Sequence, residues 1–193
     1  ELERVREDYE ALIVMASDML GIPLRMKELD VYLLDAPSGE PIGDRAIGFG
    51  MRLPVPSFLL VLHEAIHVLV GQTIRLLSGR YTDDEHAEYI DEAIVNLITS
   101  SVLSRLKPSL KEKFDQTEKT IKRLVSPLPP YSERPETVEG REALQRHNTR
   151  NRYIEYYREA FKDDWTKLTK QKRDFNRVIA ALLERNSNRI KHG

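Results

Sequence analysis

The chain has 193 residues, of which 40% are hydrophobic and 32% are charged, and its formal net charge is −1. This composition predicts one domain, or one domain with a helical extension, and the near-zero charge leads us to expect no nucleic-acid partner. The sequence contains no cysteine, which excludes disulfides and thiolate metal sites. No apolar run is expected to span a membrane, and the opening residues lack the pattern of a signal peptide, so the sequence predicts a cytoplasmic protein.

The first half of the chain predicts a helix, a small β element and two long helices. Apolar residues at helical spacing predict a first helix that ends at Gly21. Residues 30–35 and 46–51 are predicted to be short strands, and the two glycines of the second strand indicate an edge or a close backbone approach. A long apolar helix is predicted over residues 57–77, and a capping box at 82–85 begins the next helix.

The second half predicts charged helices on either side of a proline-rich break. We expect a domain over residues 1–125, a loop or linker over 126–138, and a helical extension over 139–193 that packs on the core. Residues 146–165 mix arginine and tyrosine, a composition that can contact RNA or single-stranded DNA, but the interleaved acidic residues favour an amphipathic helix with a charged outer face. The predicted fold class is α+β, with helix dominating.

Residues 61–69, VLHEAIHVL, place two histidines and a glutamate in an otherwise uncharged helix. His63 and His67 lie four residues apart, and therefore on one face of the helix, one turn apart. Two imidazoles at this spacing can bind one Zn²⁺ at about 2.0–2.1 Å, and Glu64 beside them can accept a proton from a metal-bound water. The alternative interpretation is a pair of satisfied core histidines with a surface glutamate. It is disfavoured because an unpaired carboxylate is costly to bury.

A catalytic zinc needs a third protein ligand and an open fourth position. Val70 and Thr73 stand where the metzincin continuation would have a glycine and a third histidine, which disfavours that arrangement. The next helix carries the other candidates. Glu92 is favoured because it begins the apolar part of that helix, Glu88 is the alternative one turn earlier, and His86 is a third possibility.

An HExxH helix followed by a later glutamate resembles the gluzincin group of zinc metallopeptidases. The element order is similar to that of their minimal members, the minigluzincins, over roughly residues 1–106, although only the HExxH part is specific. The resemblance implies a zincin-like core with a small β-sheet, an active-site helix and a glutamate helix. Several gluzincins have an aspartate four residues after the ligand glutamate. This chain has Asn96 there, which we expect to hydrogen-bond a ligating histidine without adding charge.

The resemblance also implies how substrate is held. In minigluzincins an edge strand before the active-site helix binds substrate in extended form, and the matching residues here are Ala46, Ile47, Gly48 and Phe49. Family members often add a tyrosine or a histidine that stabilises the oxyanion. The candidates for that role are Tyr131, His147, Tyr153 and Tyr156.

The sequence therefore predicts an intracellular zinc metalloendopeptidase that acts on peptides or proteins. In this hypothesis His63, His67 and Glu92 bind Zn²⁺, and Glu64 is the general base and acid. The alternative is a zincin-fold regulatory or interaction protein that binds metal and cleaves nothing. A further hypothesis is that the proline-rich loop or the final helices cover the cleft and keep the enzyme latent.

Overall fold

Most of the described residues of this chain lie in helices. The computed structural model describes residues 1–22, 30–34, 40–42, 46–51, 57–125, 138–170 and 174–192. The α-helices are α1 (Leu2–Leu20), α2 (Ser57–Ile66), α3 (Gln72–Ser78), α4 (Asp84–Ser104), α5 (Pro108–Leu124), α6 (Val138–Thr169), α7 (Phe175–Arg185) and α8 (Ser187–His192). The segment His67–Gly71, which joins α2 to α3, is π-helical.

The strands are few and short. β1 (Asp30–Leu34), β2 (Glu40–Ile42) and β3 (Ala46–Gly50) pair in the order β1-β3-β2. The predicted fold class, an α+β zincin-like core, is wrong, because the described residues lie overwhelmingly in helices. Two short apolar runs were correctly predicted as strands, but helix packs mainly on helix here, so these strands do not make a layer that defines the fold.

The strand that was expected to bind substrate lies in the middle of the strand order. β3 pairs with β1 in parallel, and Ala46, Ile47 and Gly48 also pair with β2 in antiparallel register. A strand whose backbone is paired on both sides offers no free edge to a peptide, so the edge-strand interpretation is wrong for these three residues. β2 contains Pro41, a residue that sheets tolerate at an outer strand such as this one.

The described chain divides into two compact units. The first comprises Glu1–Leu69 and Thr99–Glu133, and the second comprises Val70–Ile98 and Arg134–Gly193. The units are interleaved along the chain, and the expected domain boundaries stay a prediction. Of the loop predicted over residues 126–138, residues 126–137 lie outside the described residues and Val138 begins α6.

In the first unit, α1 packs on α2 and α5. The apolar stripe predicted for α1 comprises Leu2, Val5, Tyr9, Leu12, Ala16 and Met19. Its four central members are buried, whereas Leu2 is exposed and Met19 is partly buried. The buried carboxylate of Asp8 accepts a hydrogen bond from the Thr117 hydroxyl at 2.7 Å and pairs with the Lys113 ammonium at 2.6 Å. A polar side chain therefore links α1 to α5 inside an otherwise apolar contact.

The first helix ends at Gly21, as the sequence predicts. Gly21 has a φ of 66°, the left-handed conformation that glycine adopts without strain. Its amide donates to the carbonyl of Asp18, and the amide of Ile22 donates to that of Ser17. The two bonds satisfy carbonyls at the helix end that would otherwise lack a partner.

In the second unit, α7 packs on both α3 and α6. The stripes predicted for α6 and α7 are buried except for Phe175, which is partly buried. Their members are Ile154, Tyr157, Phe161, Leu168, Phe175, Val178, Leu182 and Leu183. Asn186, which is buried, donates hydrogen bonds to Asp164 and to the carbonyl of Leu182. The charged composition of this half is thus compatible with an apolar interior.

The helical run Phe58–Ser78 bears on the expectation that no apolar run spans a membrane. By length and composition alone it is apolar enough to cross a membrane, and 44% of its apolar window is buried within the protein. The core helix of a soluble protein passes the same test, so this is weak grounds for a membrane span. The cytoplasmic location stays a prediction.

Candidate metal centre

The two histidines of the HExxH motif lie at the end of an apolar helix. The residues around them on α2 are fully buried, and they are Val61, Leu62, Ala65 and Ile66. His63 and His67 are only partly buried, so their rings lie at the margin of this apolar interior. α2 ends at Ile66, and the π-helical segment begins at His67. Single π turns inside helices occur frequently at functional sites.

The two imidazole rings lie edge to face. His63 Nε2 and His67 Nε2 lie 3.1 Å apart, and the rings cross at 76° with their centroids 4.7 Å apart. Two ligands of a tetrahedral zinc, each at about 2.0–2.1 Å from the ion, lie about 3.3–3.4 Å from each other. The nitrogens are therefore already close to the separation that a shared metal ion requires.

Glu64 lies within the same apolar surroundings. Its side chain is buried, next to a helix core of aliphatic residues. A carboxylate in such a place loses its hydration and is retained only where it interacts with other groups. The carboxylate of Glu64 is therefore buried beside the two histidines, and its catalytic role stays a prediction.

The third expected ligand belongs to the same group of side chains. His63, His67 and Glu92 form a group that could hold a metal ion. Each offers one ligand atom, and these three atoms all lie within 4.8 Å of one another. Two imidazoles and one carboxylate are a donor set that suits zinc and other divalent first-row metals, so the residues fit an ion without fixing its identity.

Of the two competing glutamates, Glu92 is the more buried. Its side chain is 19% exposed, whereas that of Glu88 is 54% exposed. Both face Arg150 of α6: its Nη2 lies 2.7 Å from Glu92 Oε1 and 3.7 Å from Glu88 Oε1. Sequence reasoning missed this arginine because it lies 58 residues from Glu92, and no local pattern indicates the pairing.

Asp91, next to Glu92, has a different environment. It is fully buried, and its carboxylate accepts a hydrogen bond from Nε of Arg75 at 2.8 Å. This hydrogen bond is the largest factor that raises the pKa of the Arg75 guanidinium. Sequence reasoning passed over Asp91, although an ionisable residue in a run of apolar ones is a signal that a partner is required.

His86, the third possibility, belongs to an aromatic cluster. Its Nδ1 lies 2.7 Å from the hydroxyl of Tyr157, and its ring lies edge-on to Tyr89 and Tyr153. Burial raises the pKa of Tyr157 to about 12, and a hydrogen bond to Glu85, followed by burial, raises that of Tyr89 to about 12. His86 is thus engaged by tyrosines rather than included in the ligand group.

The helix start beside this cluster differs slightly from the prediction. The expected capping box covered residues 82–85. In the structure, α4 begins at Asp84, and the carboxylate of Asp83 accepts a hydrogen bond from the amide of His86 at 2.8 Å. Asp83 therefore caps the helix.

The remaining predicted site residues lie on α4 and α6 or outside the described residues. Asn96 is partly buried on α4, one turn after Glu92, and its bond to a histidine stays a prediction. Among the oxyanion candidates, His147 bonds to Asn151, and Tyr153 stacks on Tyr89. Tyr156 is exposed, and Tyr131 lies outside the described residues.

Comparison with known proteins adds no relative. No family model, no curated protein and no solved structure matches this chain. The resemblance to gluzincins accordingly stays a prediction from the motif itself.

Proposed function

We propose that this protein is a zinc-dependent peptidase. The observation that carries the proposal is the close approach of the ligand atoms of His63, His67 and Glu92, in a chain where the two histidines also enclose Glu64 in an HExxH sequence. The substrate class is a peptide or protein. The earlier proposal that β3 binds substrate by strand addition is not part of this function, because β3 lies between its two neighbours.

The donor set supports zinc as the metal. Neutral imidazole nitrogen and carboxylate oxygen are the ligands of catalytic zinc sites that keep one position open. When bound, zinc acts as a Lewis acid that lowers the pKa of a bound water to about 7 and polarises a carbonyl. The chain contains no cysteine, so zinc sites that depend on thiolates are excluded.

The residues of the chain divide the remaining work. His63 and His67 present their Nε2 atoms at 3.1 Å from each other, close to the separation of two nitrogen ligands on one zinc ion. The carboxylate of Glu64 accepts the proton of the attacking water and delivers it to the leaving amine nitrogen. Its buried position excludes competing water and strengthens its electrostatic interactions.

One observation favours a second function, a metal-binding protein without peptidase activity. The only substrate-binding element expected from the sequence is paired on both sides over Ala46 to Gly48, so the described residues supply no strand edge at that position. Such a protein binds the same ion, but it cleaves nothing and does not need the carboxylate of Glu64.

Metal content, measured by mass spectrometry on the purified protein, tests the metal site. We expect about one zinc per chain, lost in His63→Ala and in Glu92→Ala and kept in Glu64→Gln. The matched control is Glu88→Ala, one turn earlier on the same helix and mostly exposed, which should keep its zinc. Zinc lost with Glu88→Ala but not with Glu92→Ala would assign the third ligand to Glu88.

Cleavage of a peptide library then separates the two functions. A peptidase loses activity in Glu64→Gln while it keeps its zinc, whereas a binding protein shows no cleavage in either form. If the wild-type protein takes up no zinc even when zinc is supplied, the HExxH sequence has no metal function here and both proposals fail.

A further inference from the structure

Arg150 forms an ion pair with the proposed ligand carboxylate of Glu92. Its Nη2 lies 2.7 Å from Glu92 Oε1, a short charge-assisted hydrogen bond. The side chains are 35% and 19% exposed, so this pair is better shielded from water than a surface salt bridge. Both residues belong to the second compact unit.

The guanidinium engages one oxygen of the carboxylate. A carboxylate with one oxygen held by a hydrogen-bond donor presents its other oxygen, Oε2, in a fixed direction. Carboxylates that ligate metals are regularly hydrogen-bonded in this manner, and such partners set the orientation of the ligand. An unrestrained glutamate must instead lose the freedom of three side-chain torsions when it binds the ion.

The positive charge of Arg150, this close to a proposed metal site, must be offset by a negative charge. Glu88 Oε1 lies 3.7 Å from the same Nη2 of Arg150, so the guanidinium has a second carboxylate beside it. When Glu92 shares its charge with a metal ion, Glu88 still offsets the charge of Arg150. This arrangement favours an arginine that orients the ligand over one that expels the ion.

We propose that Arg150 is a positioning residue for the metal site: it holds Oε1 of Glu92 so that Oε2 is presented as the ligand oxygen. The inference rests on the proposed function, because it assumes that His63, His67 and Glu92 bind a divalent ion. It adds to that function a residue from α6 that does not touch the ion and yet sets its affinity.

Zinc affinity, measured by competition with a chelator, tests the inference without any activity assay. Arg150→Gln should bind zinc about 10–100-fold more weakly than the wild type, the usual cost of losing a partner that orients a ligand. Arg150→Lys should recover part of that loss, because an ammonium can still pair with one oxygen. If Arg150→Gln does not fold, Arg150→Met keeps a long side chain and takes its place.

The same helix supplies a closely matched control. Arg158 lies on α6, is 42% exposed, and places its Nη2 2.6 Å from Glu155 Oε1 and 3.7 Å from Glu159 Oε1. Arg158→Gln therefore removes an equivalent pair of contacts, and neither of the two glutamates involved is a proposed metal ligand. It should leave the zinc affinity within about twofold of the wild type, as expected for an exposed ion pair.

A double substitution distinguishes positioning from a general structural effect. In the Glu92→Ala background, Arg150→Gln should cause no further loss of zinc affinity, because the arginine acts only through that carboxylate. An equal loss in both backgrounds would overturn the proposal.

The direction of the change in zinc affinity, and zinc binding by the wild-type protein itself, give two further tests. Tighter zinc binding in Arg150→Gln would mean that Arg150 competes with the ion, and unchanged binding would mean that it has no role. Either result overturns this inference alone, whereas a wild-type protein that binds no zinc overturns the proposed function with it.

Discussion

Asp91 and Glu92 are neighbours on α4, and each is paired with an arginine, yet only Glu92 belongs to the ligand group. Asp91 is fully buried, and its partner, Arg75, is more than half exposed. Glu92 keeps some exposure and is paired with Arg150, which is only partly exposed. Burial and an arginine therefore do not make a carboxylate a metal ligand. What distinguishes the two carboxylates is whether the helix presents them close to the histidine nitrogens, as it does for Glu92.

The largest effect that separates these neighbours should be in metal binding. Glu92→Ala removes one of three ligands and should weaken zinc binding by more than the roughly 100-fold typical of an orienting partner, taking peptide cleavage to background. Asp91→Asn should keep both zinc and cleavage. Chelator competition measures the zinc affinity, and loss of zinc in Asp91→Asn would remove the distinction between the two residues.

A second substitution extends the comparison to Glu64, which is buried like Asp91. Glu64→Gln should lower the rate of peptide cleavage by about 10²–10⁴-fold, because it removes the general base and not a ligand. Its zinc affinity should stay close to the wild type. Glu118→Gln is the control, since Glu118 is another buried glutamate of the first unit and should have no effect on cleavage. Full activity in Glu64→Gln would end the peptidase proposal.

A third substitution tests the structural side of the comparison. Arg75→Ala removes a charged hydrogen-bond partner from the buried carboxylate of Asp91 and should lower the free energy of unfolding by about 1.5–3 kcal/mol. Urea denaturation measures that change, and zinc affinity should not follow it. The exposed Arg80 serves as the control, with an expected change for Arg80→Ala within about 0.5 kcal/mol. A loss of zinc affinity in Arg75→Ala would show that the two arginine pairs are coupled.

The smallest expected effect is a pH dependence from the aromatic cluster. Tyr89 and Tyr157 have pKa values of about 12 in the folded chain, against about 10 for an unfolded tyrosine. Their neutral forms are therefore favoured by folding. Stability from this source is complete below pH 10 and is lost as the pH rises from about 10 toward 12. Denaturation at several pH values should show that the fall is smaller in Tyr89→Phe, and an identical fall would contradict the shift for Tyr89.

The helices and their buried faces could be predicted from the sequence because both depend on local spacing. Apolar residues three and four apart place Tyr9 and Leu12, and likewise Tyr157 and Phe161, on one face, and the structure buries all four. The same local rule put His63 and His67 together. A capping glycine ended the first helix for an equally local reason.

What the sequence did not predict depends on pairing over long distances. The order of the three strands is set by backbone partners that no periodicity encodes, so β3 was predicted to be an edge strand although it lies between β1 and β2. The predicted fold class was wrong because the short strands were expected to form a β layer of the fold. Arg150 was missed for a related reason, since a charged residue on a charged helix gives no sign of a distant partner.

The π-helical segment at His67 to Gly71 also fixes the rotational phase of everything that follows it. A π turn holds one more residue than an α turn, and each residue of an α-helix advances the chain by about 100° around its axis. Deleting one residue from 68–70 would allow a continuous α-helix. Because the π turn takes up that extra residue, the shortened helix would keep the buried side chains of Ile74 and Ser78 in their present rotational phase. A deletion within α3 would instead turn every following side chain by about 100°, so a one-residue deletion should be tolerated better in the π segment than in α3.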